Sequence, residues 1–68
     1  MLVELSLIKE DWIDGFATRQ VDYNVKDKVI RIECNKQIEM LNAYGDVNSF
    51  GYWVYVVPMD NVRSLSCW

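Results

Sequence analysis

Six consecutive apolar residues, Tyr52-Trp53-Val54-Tyr55-Val56-Val57, run up to the only proline of the chain, Pro58. Aromatic and β-branched residues of this kind favour a strand. In a strand, Tyr52, Val54 and Val56 lie on one side and Trp53, Tyr55 and Val57 on the other. A strand covered on one face only alternates polar with apolar residues. Both faces of this one therefore call for a cover. One face meets the domain core, and the other meets a neighbour, a ligand or a second copy of the chain. Pro58 has no N–H for the ladder and ends the strand. Met59-Asp60-Asn61 then forms a tight turn, and Val62 to Trp68 returns as a strand. Phe50 to Trp68 holds five of the nine aromatic residues, so this stretch closes the fold.

The length of 68 residues makes residues 1–68 a single domain. A domain this small buries only about 60% of its unfolded surface and needs added support from disulfides, a metal or oligomerisation. There is no His, and the only cysteines are Cys34 and Cys67. A structural zinc site takes about four His or Cys ligands, so no metal or other cofactor is expected. A Cys34–Cys67 disulfide would suit a secreted chain. The first residues, MLVELSLIKEDW, have no basic segment or small-residue cleavage site. A cytoplasmic chain with reduced thiols is expected instead, supported by homo-oligomerisation. No apolar run approaches the roughly 20 residues that span a membrane. The net charge of −3, ten acids against seven bases, argues against a long nucleic acid held by a basic field.

Along the chain, Leu2 to Lys9 reads as a strand with Val3, Leu5 and Leu7 on its apolar face. Lys9 to Gly15 reads as a polar connection that carries Trp12 and ends in the turn dipeptide Asp14-Gly15. Phe16 to Val25 and Lys28 to Cys34 both alternate, and a short Lys26-Asp27 joint makes them a hairpin. In the first of these, Arg19 falls on the side of Ala17, Val21, Tyr23 and Val25, opposite Phe16 and Thr18. Residues 36–44 fit two descriptions. As a strand they place Ile38, Met40 and Tyr44 together. As a helix they take Asn35 as N-cap and Gly45 as stop, with Ile38, Leu41 and Tyr44 on one stripe. Residue types lean to the helix. Gly45 to Gly51 reads as a loop. The fold class is mainly β, with about five strands and one short helix near residues 36–44.

Val56 to Val62, with Pro58, Asn61 and Val62 at the matching positions, resembles the closing turn of SH3-like and Sm-like small barrels. There, a Pro is followed by a one-turn 3₁₀ segment, an Asn and the hydrophobic start of the last strand. The resemblance implies a small barrel and covers under a third of the chain. The aromatic, acidic peptide-binding loop of SH3 domains has no counterpart, and Asp14-Gly15 does not stand in the strand context of the Sm pair. No ligand is therefore carried over.

For catalysis the residue set is poor. The commonest general base, His, is missing, and no Gly-rich phosphate loop is present. Cys34 alternates with Ile30 and Ile32 and reads as a small core hydrophobe. Cys67 also reads as packed. Glu10, Asp11 and Asp14 read as a solvated patch, with a basic partner as the alternative. Binding is better provided for. Trp12, Tyr44, Phe50, Tyr52, Trp53, Tyr55 and Trp68 are more large rings than so small a core can take, and interfaces concentrate such residues. Trp68 is expected to dock, on another subunit if not on its own. Arg19, Arg31 and Arg63 each read singly as surface residues. Beside Tyr52, Trp53 or Tyr44 they would combine guanidinium groups for a phosphate with rings for a base.

The expectation is therefore a non-enzymatic small binding protein. By type it is similar to small phage-encoded anti-defence proteins, either inhibitors of a host protein or sponges that sequester a small, cyclic nucleotide signal. A nucleic-acid-binding regulator and a structural assembly subunit are the alternatives.

Overall fold

The computed structural model describes residues 1–68. The chain forms seven strands: β1 (Leu2–Leu7), β2 (Ile13–Ala17), β3 (Gln20–Asn24), β4 (Val29–Cys34), β5 (Gly45–Val47), β6 (Trp53–Pro58) and β7 (Val62–Cys67). A six-residue 3₁₀ helix, Glu39–Tyr44, leads into β5, and a 3₁₀ turn, Met59–Asn61, joins β6 to β7. The strands make two antiparallel sheets, ordered β2-β1-β7 and β3-β4-β6-β5. Each sheet has two edges, and hydrogen bonding does not close them into one barrel.

The mainly-β expectation holds. The two strands beyond the expected five arise at two places. The expected strand Phe16–Val25 is broken into β2 and β3, and β5 forms inside the expected loop Gly45–Gly51. The break is at Thr18. Phe16 and Thr18 are buried, and beyond them it is Val21, not Gln20, that turns toward the core. The in–out alternation slips by one residue. Thr18 Oγ1 holds the slip by donating to the carbonyls of Gln20 (3.1 Å) and Glu33 (2.5 Å). Arg19, expected on the side of Val21, is thereby turned to the outer face.

β2 also begins earlier than expected. Asp14 and Gly15 are not a turn but lie within β2, opposite Leu5 and Glu4. The cause is Trp12, which is buried and stacks on Phe16 at 6.3 Å between ring centroids. Burying this pair brings the chain back beside β1. The hairpin β3–β4 forms as expected, with Asp27 N bonded to Asn24 Oδ1 and Lys28 in the left-handed region.

The segment before β5 is neither a strand nor an α-helix. Its cap is Ile38, three residues beyond the expected cap Asn35, and Gly45 follows with extended backbone. The reason is Tyr55. Its ring is fully buried, and its hydroxyl accepts the Ile38 N–H at 2.5 Å. A Cβ on Gly45 would come within 2.5 Å of Tyr55 Cδ1, so glycine is required there for packing rather than for its φ.

The core lies between the sheets and comprises Val3, Leu5 and Leu7 of β1, Ile30, Ile32 and Cys34 of β4, and Tyr55 and Val57 of β6, with Trp12, Phe16 and Leu41. Trp53 sits opposite Cys34 on the core side, half-buried. The open face of β6 is therefore that of Tyr52, Val54 and Val56. Both cysteines are free. Burial pushes the Cys34 thiol up, which keeps it protonated, whereas Cys67, expected to be packed, is exposed at the edge strand β7.

A polar knot fastens the closing turn. Asn61 is fully buried, its Oδ1 accepts Lys9 N (2.7 Å), and its Nδ2 donates to Glu10 Oε2 (2.8 Å) and to the Tyr44 hydroxyl (2.9 Å). The Tyr44 hydroxyl in turn donates to Glu10 Oε1. The expected acidic patch is thus dispersed: Glu10 joins this knot, Asp11 pairs with Arg63 (3.5 Å), and Asp14 bonds the N–H of Gly15. The hydrogen bonds from Tyr44 and then Asn61 hold the Glu10 carboxyl below its ordinary 4.5, and the bond to Glu10 pushes Tyr44 above 10.0. Glu10's contribution to stability is present above pH 4.5 and is lost as the pH falls through its lowered pKa. Tyr44's contribution is present below pH 10 and is lost as the pH rises through its raised value. Thermal melts across pH should show both limbs, and Glu10→Gln should flatten the acid one. An unchanged acid limb in that variant would assign the effect to other carboxylates.

Candidate functional site

The outer face of the β3-β4-β6-β5 sheet is laid out by its register. Asn24, Val29 and Pro58 form one cross-strand row, Asp22, Arg31 and Val56 the next, and Gln20, Glu33, Val54 and Asp46 the third. Beyond the third row, the phase slip at Thr18 delivers Arg19 to this face. The Arg19 guanidinium lies over the Tyr52 ring, 4.1 Å from its centroid.

Glu33 holds the two arginines as a pair. Its Oε1 lies 3.3 Å from Arg19 Nη1 and its Oε2 lies 3.6 Å from Arg31 Nη2, while Asp22 Oδ2 is 3.7 Å from Arg31 Nη1. The Glu33 side chain is only 12% exposed, against 49% and 40% for the arginines. Exposed ion pairs of this length contribute about 0–1 kcal/mol each, and an exposed cation–π contact about 0.5–1 kcal/mol. The guanidinium groups are thus oriented but not locked. A phosphate, which binds guanidinium bidentately and more strongly, can recruit them at small cost.

Phe50 and Asn48 complete the rim of an open cavity of about 430 Å³ lined by Arg19, Arg31, Glu33, Asn48, Phe50 and Tyr52. Phe50 is 83% exposed at the tip of a tight loop. Asn48 builds that loop, because its Oδ1 accepts the N–H groups of Phe50 (2.9 Å) and Tyr52 (3.1 Å). Its carbonyl also accepts the N–H of Gly51, whose φ of 85° suits glycine. Asn48→Ala removes two hydrogen bonds and should cost about 1–2 kcal/mol. A melting curve that does not move would show that the loop holds itself without Asn48.

Four of the ten residues singled out in the sequence, Arg19, Arg31, Phe50 and Tyr52, converge here. The others are placed elsewhere. Tyr55 is fully inside, Trp12 is buried against Phe16, and Trp53 packs on the core side. Tyr44 belongs to the Asn61 knot, Arg63 pairs with Asp11, and Trp68 is 68% exposed at the chain end. Trp68 does not dock within its own chain beyond two backbone hydrogen bonds to Leu2 (3.0 and 2.8 Å). Glu33 and Asn48 belong to the site and were not anticipated. Asn48 had a readable signal, an Asn followed three residues later by Gly in a loop. Glu33 had none, since its role depends on two arginines brought to it across the sheet.

No protein-family model, curated protein or solved structure matches this chain. No helix is long and apolar enough to cross a membrane.

Proposed function

We propose that this protein is a non-enzymatic binding protein that sequesters a small nucleotide, in the manner of phage-encoded anti-defence sponges and inhibitors. The observation that carries the reading is the Arg19 guanidinium stacked on Tyr52, with Arg31 and the exposed Phe50 ring around the same open cavity. Guanidinium groups suit a phosphate and ring faces suit a base. Glu33, the one carboxylate of that lining, is engaged with both arginines, which suits holding a ligand. A net charge of −3 with only two arginines on the site suits a ligand of few phosphates better than a long nucleic acid.

For the architecture we infer a small SH3-like or Sm-like barrel. Three features support it. β2 and β3 read as one strand bent at Thr18 and shared between the sheets. Pro58, the 3₁₀ turn Met59–Asn61 and Val62 carry the chain from one sheet to the other. Tyr23 of β3 lies beside Cys67 of β7. We also propose a homo-oligomer, supported by the exposed apolar pair Leu2 (53%) and Trp68 (68%) at the joined chain ends. A host protein as target is the second reading, favoured by the exposure of Phe50.

The test is a thermal-shift screen against mononucleotides and cyclic di- and trinucleotides, with light scattering for the assembly state. A ligand at 100 times its Kd stabilises by about 2.7 kcal/mol, which for a domain of this size raises Tm by roughly 10 °C or more. Arg19→Ala and Tyr52→Ala should each abolish the shift while the unliganded melt stays within a few degrees. A flat screen would overturn the nucleotide reading in favour of a protein target.

A further inference from the structure

Arg31 faces two cavities at once. Beyond it, a second open cavity of about 750 Å³ is lined by Val25, Val29 and Val56, with Asp22 and Asp27 at its polar side. Asp22, Arg31 and Val56 stand in one cross-strand row, so both cavities lie on the same outer face and meet at this arginine. We infer that they form one groove for a dinucleotide, with one base on Phe50 and the Arg19 guanidinium that covers Tyr52, the phosphodiester at Arg31, and the second base on the valine shelf. This deepens the nucleotide reading and rests on it.

The groove's dimensions and charges both point to such a ligand. Tyr52 and Val56 are four residues apart on one extended chain, about 13 Å at the usual rise per residue, so a ligand with a single ring covers one cavity only. Arg19 and Arg31 face Glu33, Asp22 and Asp27, which leaves the lining with one net negative charge. A triphosphate would be repelled, whereas a single phosphodiester brings one charge to the one point both cavities share. The apolar shelf accounts for the open face of β6, because Val56 is 43% exposed and Val25 78%. The acids give the second position a preference. Asp22 accepts from Gln20 Nε2 (3.1 Å) and Asp27 from Asn24 Nδ2 (2.8 Å), and each carboxylate retains acceptor capacity toward the cavity. They suit a base that carries an amino group, such as adenine, over uracil.

The test is calorimetric titration of the intact protein with the dinucleotides ApA and UpU and with AMP. ApA should bind at least tenfold more tightly than AMP. AMP carries the greater charge, which the net negative lining disfavours by itself, so adenosine 5′-methylphosphate, which matches ApA in charge, is titrated as well and should bind no better than AMP. ApA should also exceed UpU. Val56→Ser should bring ApA down to the AMP level and leave AMP unchanged, and if that variant does not fold, the comparison of ApA with the charge-matched methyl ester decides alone. Equal binding of ApA and AMP overturns the dinucleotide groove while the nucleotide site stands. Equal binding of ApA and UpU overturns the role given to Asp22 and Asp27. Failure of every ligand, AMP included, overturns the nucleotide reading itself.

Discussion

Tyr55→Ala is expected to leave the protein unfolded, or nearly so, at room temperature. Tyr55 is the largest fully buried side chain. It stands opposite Ile32 of β4 on one side and Gly45 of β5 on the other. Truncating a buried aromatic costs about 3–5 kcal/mol. A chain of this length has a total stability of only about 3–10 kcal/mol at the usual value per residue. The ring also seats Gly45 and bonds Ile38, so its loss frees the 3₁₀ segment and β5 together. Tyr55→Phe separates the two contributions. It keeps the ring, leaves the Ile38 N–H without its acceptor, and should fold with a loss of about 1–3 kcal/mol. Urea melts followed by far-ultraviolet circular dichroism measure both. A cooperative Tyr55→Ala transition within 1 kcal/mol of the parent would mean that the sheets are held together elsewhere.

Asn61→Ala is the second large effect. One buried amide connects the β1–β2 loop through Lys9 and Glu10, the 3₁₀ segment through Tyr44, and the turn between β6 and β7. Three hydrogen bonds are lost, one of them to a carboxylate. At about 1 kcal/mol for each of the two neutral bonds, the cost is at least roughly 2 kcal/mol, and the lost bond to the Glu10 carboxylate adds to it. The carboxylate of Glu10 loses one of the two side-chain hydrogen bonds that lower its pKa, so the acid limb of the stability profile should shrink as well. Amide exchange should show Lys9 N losing protection first, since Asn61 Oδ1 is its acceptor. Retained protection at Lys9 would show that water replaces the side chain without loss.

The residues that were legible in advance are those whose role depends on near neighbours. Val3, Leu5 and Leu7 face the core as their spacing predicts, and Ile30, Ile32 and Cys34 do the same. The β3–β4 hairpin and the turn after Pro58 follow from local turn chemistry. What escaped detection depends on contacts far apart in the chain. Trp12 and Asp14-Gly15 sit in a stretch of loop composition, yet Trp12 is drawn inward and Asp14 and Gly15 join β2. β5 has only three residues and exists because Tyr55 fills the space over Gly45.

The site shows the same division. Arg19 and Tyr52 were both identifiable as residue types, but their stacking was not, because 33 positions separate them and only the slip at Thr18 turns Arg19 outward. Period-2 alternation records that a strand has two different faces. It carries no record of a bend at which inward and outward exchange, because that depends on a buried hydroxyl finding carbonyls on another strand. The amino-acid sequence alone thus determined a mainly β chain whose strand β6 is apolar on both sides. Which side of β6 stays open, and that two arginines and two rings gather on it, was decided only by the packing of one sheet on the other.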